Sequence, residues 1–314
     1  MMSLISADDG SWLRHLLGAR VCFDEPMRHH TTFRIGGPAD AYAMVAGLDE
    51  LSLLVQGANR RGLPWTIVGN GSNLLVRDGG IRGIVISLGP HMRKVAIGAD
   101  EPAGAVTVTA QAGLPLPALC RLALANGWGG LNFALGIPGN VGGAIRMNAG
   151  SVGGCMAEVV REVTLLDRQA QRLTIAAGSI PWNYRRTHWP KNSIIVEGTF
   201  RLQTTDKENL KRAARQWVLV RKRRQPIAAS AGCFFKNPSS QTPAGRLIDQ
   251  AGLKGKRIGQ AEISGQHANF ILNRGGASAD DVLALKRLIE TTVAERFGVE
   301  LEPEVVILGD ERHA

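Results

Sequence analysis

Apolar residues recur along this chain with two periods, and the changes of period mark its elements. Leu51, Leu54, Val55 and Ala58 fall three and four apart, which predicts a helix over 49–61. Apolar runs at 41–46, 65–68 and 84–88 predict strands around it. Between the last two lies Gly69-Asn70-Gly71-Ser72-Asn73, which reads as a turn. Further on, 106–110 and 194–202 alternate as strands. A helix is predicted over 117–126, with proline in its first turn and Gly127 just past its end. Segments 163–167 and 173–176, joined by 168–172, read as a hairpin. A long amphipathic helix over 206–224 turns basic at its end. The remainder predicts a short helix at 245–251, a strand at 269–273 and a helix at 280–297. That last helix carries apolar Val282, Leu283, Leu285, Leu288, Ile289 and Val293; a final strand follows at 302–307. The length of 314 residues suits two or three domains. The expected division is 1–90, 91–225, 226–298 and a returning segment, 299–314, with no repeating period.

Composition adds one anomaly. Glycine supplies 38 of 314 residues, about 12% against a typical ~7%. The excess clusters at 69–89, 127–154 and 252–276, interleaved with Ile, Val, Leu and Ala, so it belongs to folded loops. The formal net charge is +10, with one basic run, Arg221-Lys222-Arg223-Arg224. Aromatic residues are only 5%, which argues against a base-stacking surface. An anionic small molecule is therefore expected as partner rather than nucleic acid. The four cysteines make no C-x-x-C pair and no zinc spacing, so no metal is expected. Neither a signal peptide nor a membrane span is apparent, which leads to the expectation of a cytoplasmic protein with reduced thiols.

Several segments carry candidate chemistry. Gly136-Ile137-Pro138-Gly139-Asn140-Val141-Gly142-Gly143-Ala144 holds four glycines and a proline in nine residues. Such a loop either lets main-chain N–H groups approach a diphosphate or is a tight structural turn. Its spacing matches neither the Walker loop nor the G-x-G-x-x-G fingerprint. Residues 70–75 form a second loop of the same kind, directly after a strand, and two such loops can grip one diphosphate. SAGCFFKNP at 230–238 reads as an active-site strand; alternatively Cys233 is a buried small hydrophobe. Tyr184-Arg185-Arg186 sits among Trp182, His188 and Trp189, a setting for a guanidinium that clamps a carboxylate or phosphate, or for a solvated arginine.

Taken in order, these segments resemble the UDP-N-acetylenolpyruvoylglucosamine reductase family of flavoenzymes. The resemblance rests on TFRIGGPA at 32–39, VGNGSNLLV at 68–76, GIPGNVGGAIRMNAG at 136–150, Tyr184-Arg185, SAGCFFKNP, AGRLIDQAGLK at 244–254, HANF at 267–270 and LEPEV at 301–305. It covers about residues 28–307 and is closest to the shorter, type II form, since 184–194 lacks room for an extra loop. It implies an α+β fold: two α/β FAD-binding subdomains of the vanillyl-alcohol-oxidase type, followed by an α+β substrate domain. It implies FAD contacts from Gly69, Asn70, Gly71, Ser72 and Asn73, from Gly136, Pro138, Gly139, Gly142 and Gly143, and from Arg146 and Asn148. NADPH is implied as reductant, and a UDP-sugar enolpyruvyl ether as substrate of a monomeric enzyme. Tyr184, Lys236, Asn237 and His267 match substrate positions.

The resemblance also assigns catalysis to Arg185, Cys233 and Glu304. Hydride addition to an enolpyruvyl ether leaves an enolate, which a fixed cation stabilises most in the transition state. Arg185 matches that role, and Glu304 its partner, expected to be protonated when it acts. Cys233 stands where most of the family has a proton-donating serine. An unperturbed thiol near pKa ~8.5 donates more readily than an alcohol but is lost as an acid at alkaline pH and is open to oxidation. Two other readings compete: a flavin oxidase or dehydrogenase of the same fold with another substrate, and a basic protein binding nucleic acid through 206–224.

Overall fold

The computed structural model describes residues 3–101 and 104–311, so the outermost positions of the first and last expected segments, 1–2 and 312–314, lie outside the described residues. The first unit is a four-stranded sheet ordered Val21–Pro26, Pro38–Met44, Ile81–Ser87 and Trp65–Ile67. The outer pair is antiparallel and the other two pairings are parallel. Helix Leu48–Arg60 makes the crossover that parallel strands require, burying Leu51, Leu54, Val55 and Ala58 as its spacing predicts. Helix Ala7–Leu17, closed by a Ser6–Asp9 capping box, adds Leu13 and Leu17 to the same core.

The second unit is an antiparallel sheet ordered Arg172–Ala176, Val160–Leu166, Ile194–Thr204, Ala105–Gln111 and Val95–Glu101. The predicted hairpin is present, and the Asp167 carboxylate accepts the Gln169 and Gln171 N–H groups in its turn. Helix Leu116–Asn126 ends on Gly127 at φ 73°, the left-handed cap its sequence calls for. The glycine-rich segment departs from expectation: Val141–Arg146 is a short helix, not loop. Helix Lys207–Arg224 buries only Leu210 and Ala214 and leaves Leu219 and Val220 exposed, so its apolar face is narrower than predicted.

The third unit combines a small antiparallel sheet, Arg257–Ile258, Ala261–Ile263 and Ile271–Asn273, with helices Ala244–Gln250 and Ala279–Phe297. The 230–238 segment is not a regular strand; it makes isolated bridges, Cys233 to Phe270 and Phe235 to Pro303. The final strand is Val306–Leu308, starting later than predicted, and it pairs in parallel with Leu74–Val76 of the first unit. One apolar core runs through the first and second units. Another joins Phe33, Ile35 and Leu75 to Phe234, Phe235, Ile263 and Val282. The Asp78 carboxylate caps helix Ala279–Phe297 by accepting the Ala279 and Asp280 N–H groups at 3.0 and 3.2 Å. No described helix is long and apolar enough to cross a membrane.

Candidate active site

The second and third units and the returning segment meet around a cavity of about 240 Å3 lined by Arg146, Arg185, Arg186, Lys236, Glu302 and Glu304, among others. Arg185 reaches it from a tight hairpin, Trp182–Asn183 with Arg186–Thr187. At φ 53°, Arg185 occupies a left-handed position that favours glycine or asparagine. Its guanidinium donates to the Gly150 carbonyl, and its Nε lies 3.3 Å from Glu304 Oε1. Asn148 secures this hairpin from below. Its buried carboxamide donates to the Asn183 carbonyl at 3.1 Å and accepts the Ala157 N–H at 3.0 Å. Both ends of that side chain are thus engaged inside the protein.

Glu304 comes from the LEPEV segment. Lys236 N–H donates to the Glu302 carbonyl and Glu304 N–H to the Phe234 carbonyl, both at 2.8 Å, around the Phe235–Pro303 bridge. Pro303 therefore occupies a non-hydrogen-bonded pair, where a missing N–H costs nothing. The side chains two apart, Glu302 and Glu304, line the same cavity. Burial raises the Glu304 carboxyl above its ordinary range, against the pull of Arg185 and Lys236, in the direction expected for an acid that works protonated.

Cys233 retains some exposed surface but is crowded by protein on most sides. This burial, reinforced by Glu304 and opposed by Arg221 and Arg185, pushes the thiol up to about 12. The direction works against the expected alkaline loss, because a raised pKa keeps a thiol protonated above the range of a free cysteine. Cys120 is buried as a core residue, and Cys155 is half-buried with its thiol 3.5 Å from a Glu158 oxygen.

Sequence reasoning treated the basic run as one feature, yet only Arg221 turns inward. It is half-buried, bonds Gln225 Oε1 at 2.9 Å, and its side chain packs against Gly136. The other three are exposed. The charges of Arg221 and Arg185 both act on Cys233. Lys236 lies in the cavity, its ammonium 2.5 Å from Glu302 Oε1. Tyr184 is 51% exposed on the outside of the turn, stacked against its neighbour Arg185. Asn237 is exposed, with its side-chain Oδ1 accepting the Ala244 N–H. His267 Nδ1 accepts the Asn269 N–H at 3.3 Å, so its ring proton belongs on Nε2, and burial lowers its pKa. Asn237 and His267 thus stand apart from the lining of the cavity.

The two glycine loops, from different sheets, lie side by side. Ser72 Oγ donates to the Pro138 carbonyl at 3.3 Å, and Gly69 faces Asn140. Asn73 donates to the Glu304 carbonyl at 3.0 Å, tying this seam to the 301–305 segment; Asn70 is exposed. A side chain at Gly139 would stand 2.8 Å from the Ser72 hydroxyl, and one at Gly142 would meet Ala112 at 2.7 Å. Gly143 faces open space. The Val141 and Gly142 N–H groups donate inward, to Leu114 and Ala112, so they are not the amides a ligand would meet. Bare backbone on both sides of a seam that leads to a cationic cavity fits an elongated dinucleotide such as FAD.

Comparisons with known proteins agree with this arrangement. Residues 39–176 match a FAD binding domain, and residues 225–308 match the C-terminal domain of UDP-N-acetylenolpyruvoylglucosamine reductase. The reductase of that name from Desulfosudis oleivorans is 44% identical, covering 95% of this chain and 97% of its own. The one from Rubrobacter xylanophilus is 40% identical over 96% and 99%. The crystal structure of the Thermus caldophilus reductase superposes with a TM-score of 0.77 at 36% identity, covering 92% of this chain and 98% of that one. Identity of this extent, spanning both glycine loops and the segments that bring Arg185, Cys233 and Glu304 together, means that the chain belongs to the UDP-N-acetylenolpyruvoylglucosamine reductase family.

Proposed function

We infer that this protein is an FAD-dependent oxidoreductase that uses NADPH to reduce UDP-N-acetylglucosamine enolpyruvate to UDP-N-acetylmuramate, a step of peptidoglycan precursor synthesis. The observation that carries the reading is the approach of Arg185, Cys233 and Glu304 from three distant parts of the chain: Arg185 and Glu304 line one cavity beside the glycine seam, and Cys233 lies behind that lining, within reach of both their charges. Gly69–Asn73 and Gly136–Gly143 would hold the cofactor, with Arg146 at the cavity end and Arg221 against Gly136. Bound FAD supplies the hydride that adds to the methylene carbon of the enolpyruvyl group.

Negative charge then grows on the adjacent carbon and its carboxylate. Arg185, already fixed by Gly150 and Glu304, meets that charge without reorganising, which is where an oriented cation lowers a barrier most. Glu304 in its neutral form donates an O–H to the same carboxylate. Cys233 Sγ gives its proton to the charged carbon, closing the lactyl ether, and the thiolate regains a proton from solvent. Lys236 and Arg186 receive the remaining anionic part of the substrate, while Tyr184, Asn237 and His267 act at its periphery. The enzyme works in the cytoplasm as a monomer and needs no nucleic acid.

The test is steady-state oxidation of NADPH by the FAD-loaded protein with the enolpyruvyl sugar nucleotide. A product heavier by two hydrogens, formed in step with NADPH loss, is expected. NADPH oxidation that ignores the sugar nucleotide, with oxygen as the only acceptor, refutes the assignment in favour of an oxidase.

A further inference from the structure

Glu302 has no role in the reaction just described, yet its side chain lines the same cavity. Glu302 and Glu304 flank Pro303 on one face of an extended segment, and each holds one cation: Glu302 takes Lys236 at 2.5 Å, Glu304 takes Arg185 at 3.3 Å. The two ends of the first pair differ in exposure. The Lys236 side chain is 13% exposed and the Glu302 side chain 64%. A pair with one end in water gains little stability, so stability alone gives Glu302 little reason to be there. Its position has another consequence, because the lysine it draws to the rim is the residue that follows the Phe234–Phe235 step from Cys233 and stands near Glu304.

We propose that Glu302 is a positioning residue: it anchors the Lys236 ammonium at the cavity rim, so that Glu304 is paired with Arg185 alone and feels Lys236 only from a distance until an anionic substrate takes the lysine over. This rests on the functional reading above. The groups that face Glu304 are Arg185 from the hairpin and Cys233 and Lys236 from the 230–238 segment; Arg146 and Arg186 lie across the cavity, and Arg221 acts on Cys233 from the long helix. With Glu302 removed, the freed ammonium is the one of these with a flexible enough stem to move onto Glu304. A second cation there favours the carboxylate over the carboxyl, and Glu304 must be protonated to donate.

The sign of the effect follows. The alkaline limb of kcat/KM for the enolpyruvyl substrate marks the loss of protonated Glu304, so E302Q moves that limb to lower pH, by about one unit. E302D, which keeps the anchor, retains the wild-type limb. The double variant E302Q/K236M removes the displaced cation and brings the limb back up, at a higher KM. The rate at which NADPH bleaches the flavin, which needs no acid at Glu304, keeps its wild-type pH profile in E302Q and E302D. An E302Q limb at the wild-type pH, or a double variant that stays shifted, overturns the proposal while leaving the function intact. A wild-type holoenzyme that does not reduce the enolpyruvyl substrate at any pH overturns both.

Discussion

On the proposed mechanism, replacing Cys233 by alanine removes the proton donor to carbon, and a positioned general acid is worth about 10²–10⁴-fold. The loss belongs to one half of the reaction. In stopped flow, NADPH bleaches the flavin of Cys233→Ala at the wild-type rate, while reoxidation by the enolpyruvyl substrate slows by that factor. Cys233→Ser retains reoxidation within about tenfold of wild type, because the hydroxyl occupies the same site. The thiol's protonation is separately measurable. With its pKa pushed up to about 12, about one Cys233 in ten thousand is thiolate at pH 8, against about one in four for a free cysteine. Alkylation by iodoacetamide at pH 8 is therefore at least about 10³-fold slower than for exposed Cys22, and turnover shows no alkaline loss traceable to Cys233 below about pH 10. Full reoxidation by Cys233→Ala refutes the donor role; alkylation of Cys233 at the rate of a free thiol refutes the buried acid.

The remaining predictions concern the frame around that thiol. Arg185→Lys cannot reproduce a fork that bonds Gly150 and Glu304 together, and kcat/KM for the enolpyruvyl substrate falls about 10²–10³-fold with flavin reduction intact. At Gly71, φ is 61° and an added Cβ would stand 2.1 Å from the His30 carbonyl oxygen. Gly71→Ala therefore costs more than about 1 kcal/mol of stability, and the purified protein carries less flavin, read from its absorbance ratio. Phe33 is fully buried in the core shared by the first and third units. Phe33→Ala costs about 3–5 kcal/mol in urea unfolding and weakens substrate binding from a distance.

Much of this architecture is legible in the chain. The crossover helix, the hairpin around Asp167 and the stop at Gly127 are local, and residue spacing or backbone chemistry dictates each. The short helix Val141–Arg146 is not, because two glycines in six residues have poor helix propensity. It is held by tertiary bonds, Val141 N–H to Leu114 and Gly142 N–H to Ala112, that no local pattern reveals. The LEPEV segment misleads in another way. Its alternation reads as a strand, but only Val306–Leu308 enters a ladder, while Glu302–Glu304 lines the cavity beside Phe235. Within the site, Arg185, Cys233 and Glu304 came from the resemblance and converge. Arg221 was hidden in a run of four basic residues, where only the helical turn decides which one points inward. Glu302 had a signal, the period of two in an extended segment, that its distance from any catalytic role obscured. Asn148 has a second role that the resemblance did not imply: it braces the hairpin that presents Arg185.

The central claim is that one cavity couples a reduced flavin to an enolpyruvyl acceptor, and the colour of the protein reports it. The FAD-loaded enzyme is bleached with one equivalent of NADPH under anaerobic conditions and then mixed with UDP-N-acetylglucosamine enolpyruvate. The account predicts that the yellow returns in a single turnover and that UDP-N-acetylmuramate appears in equal amount. A flavin that stays bleached until oxygen is admitted contradicts it.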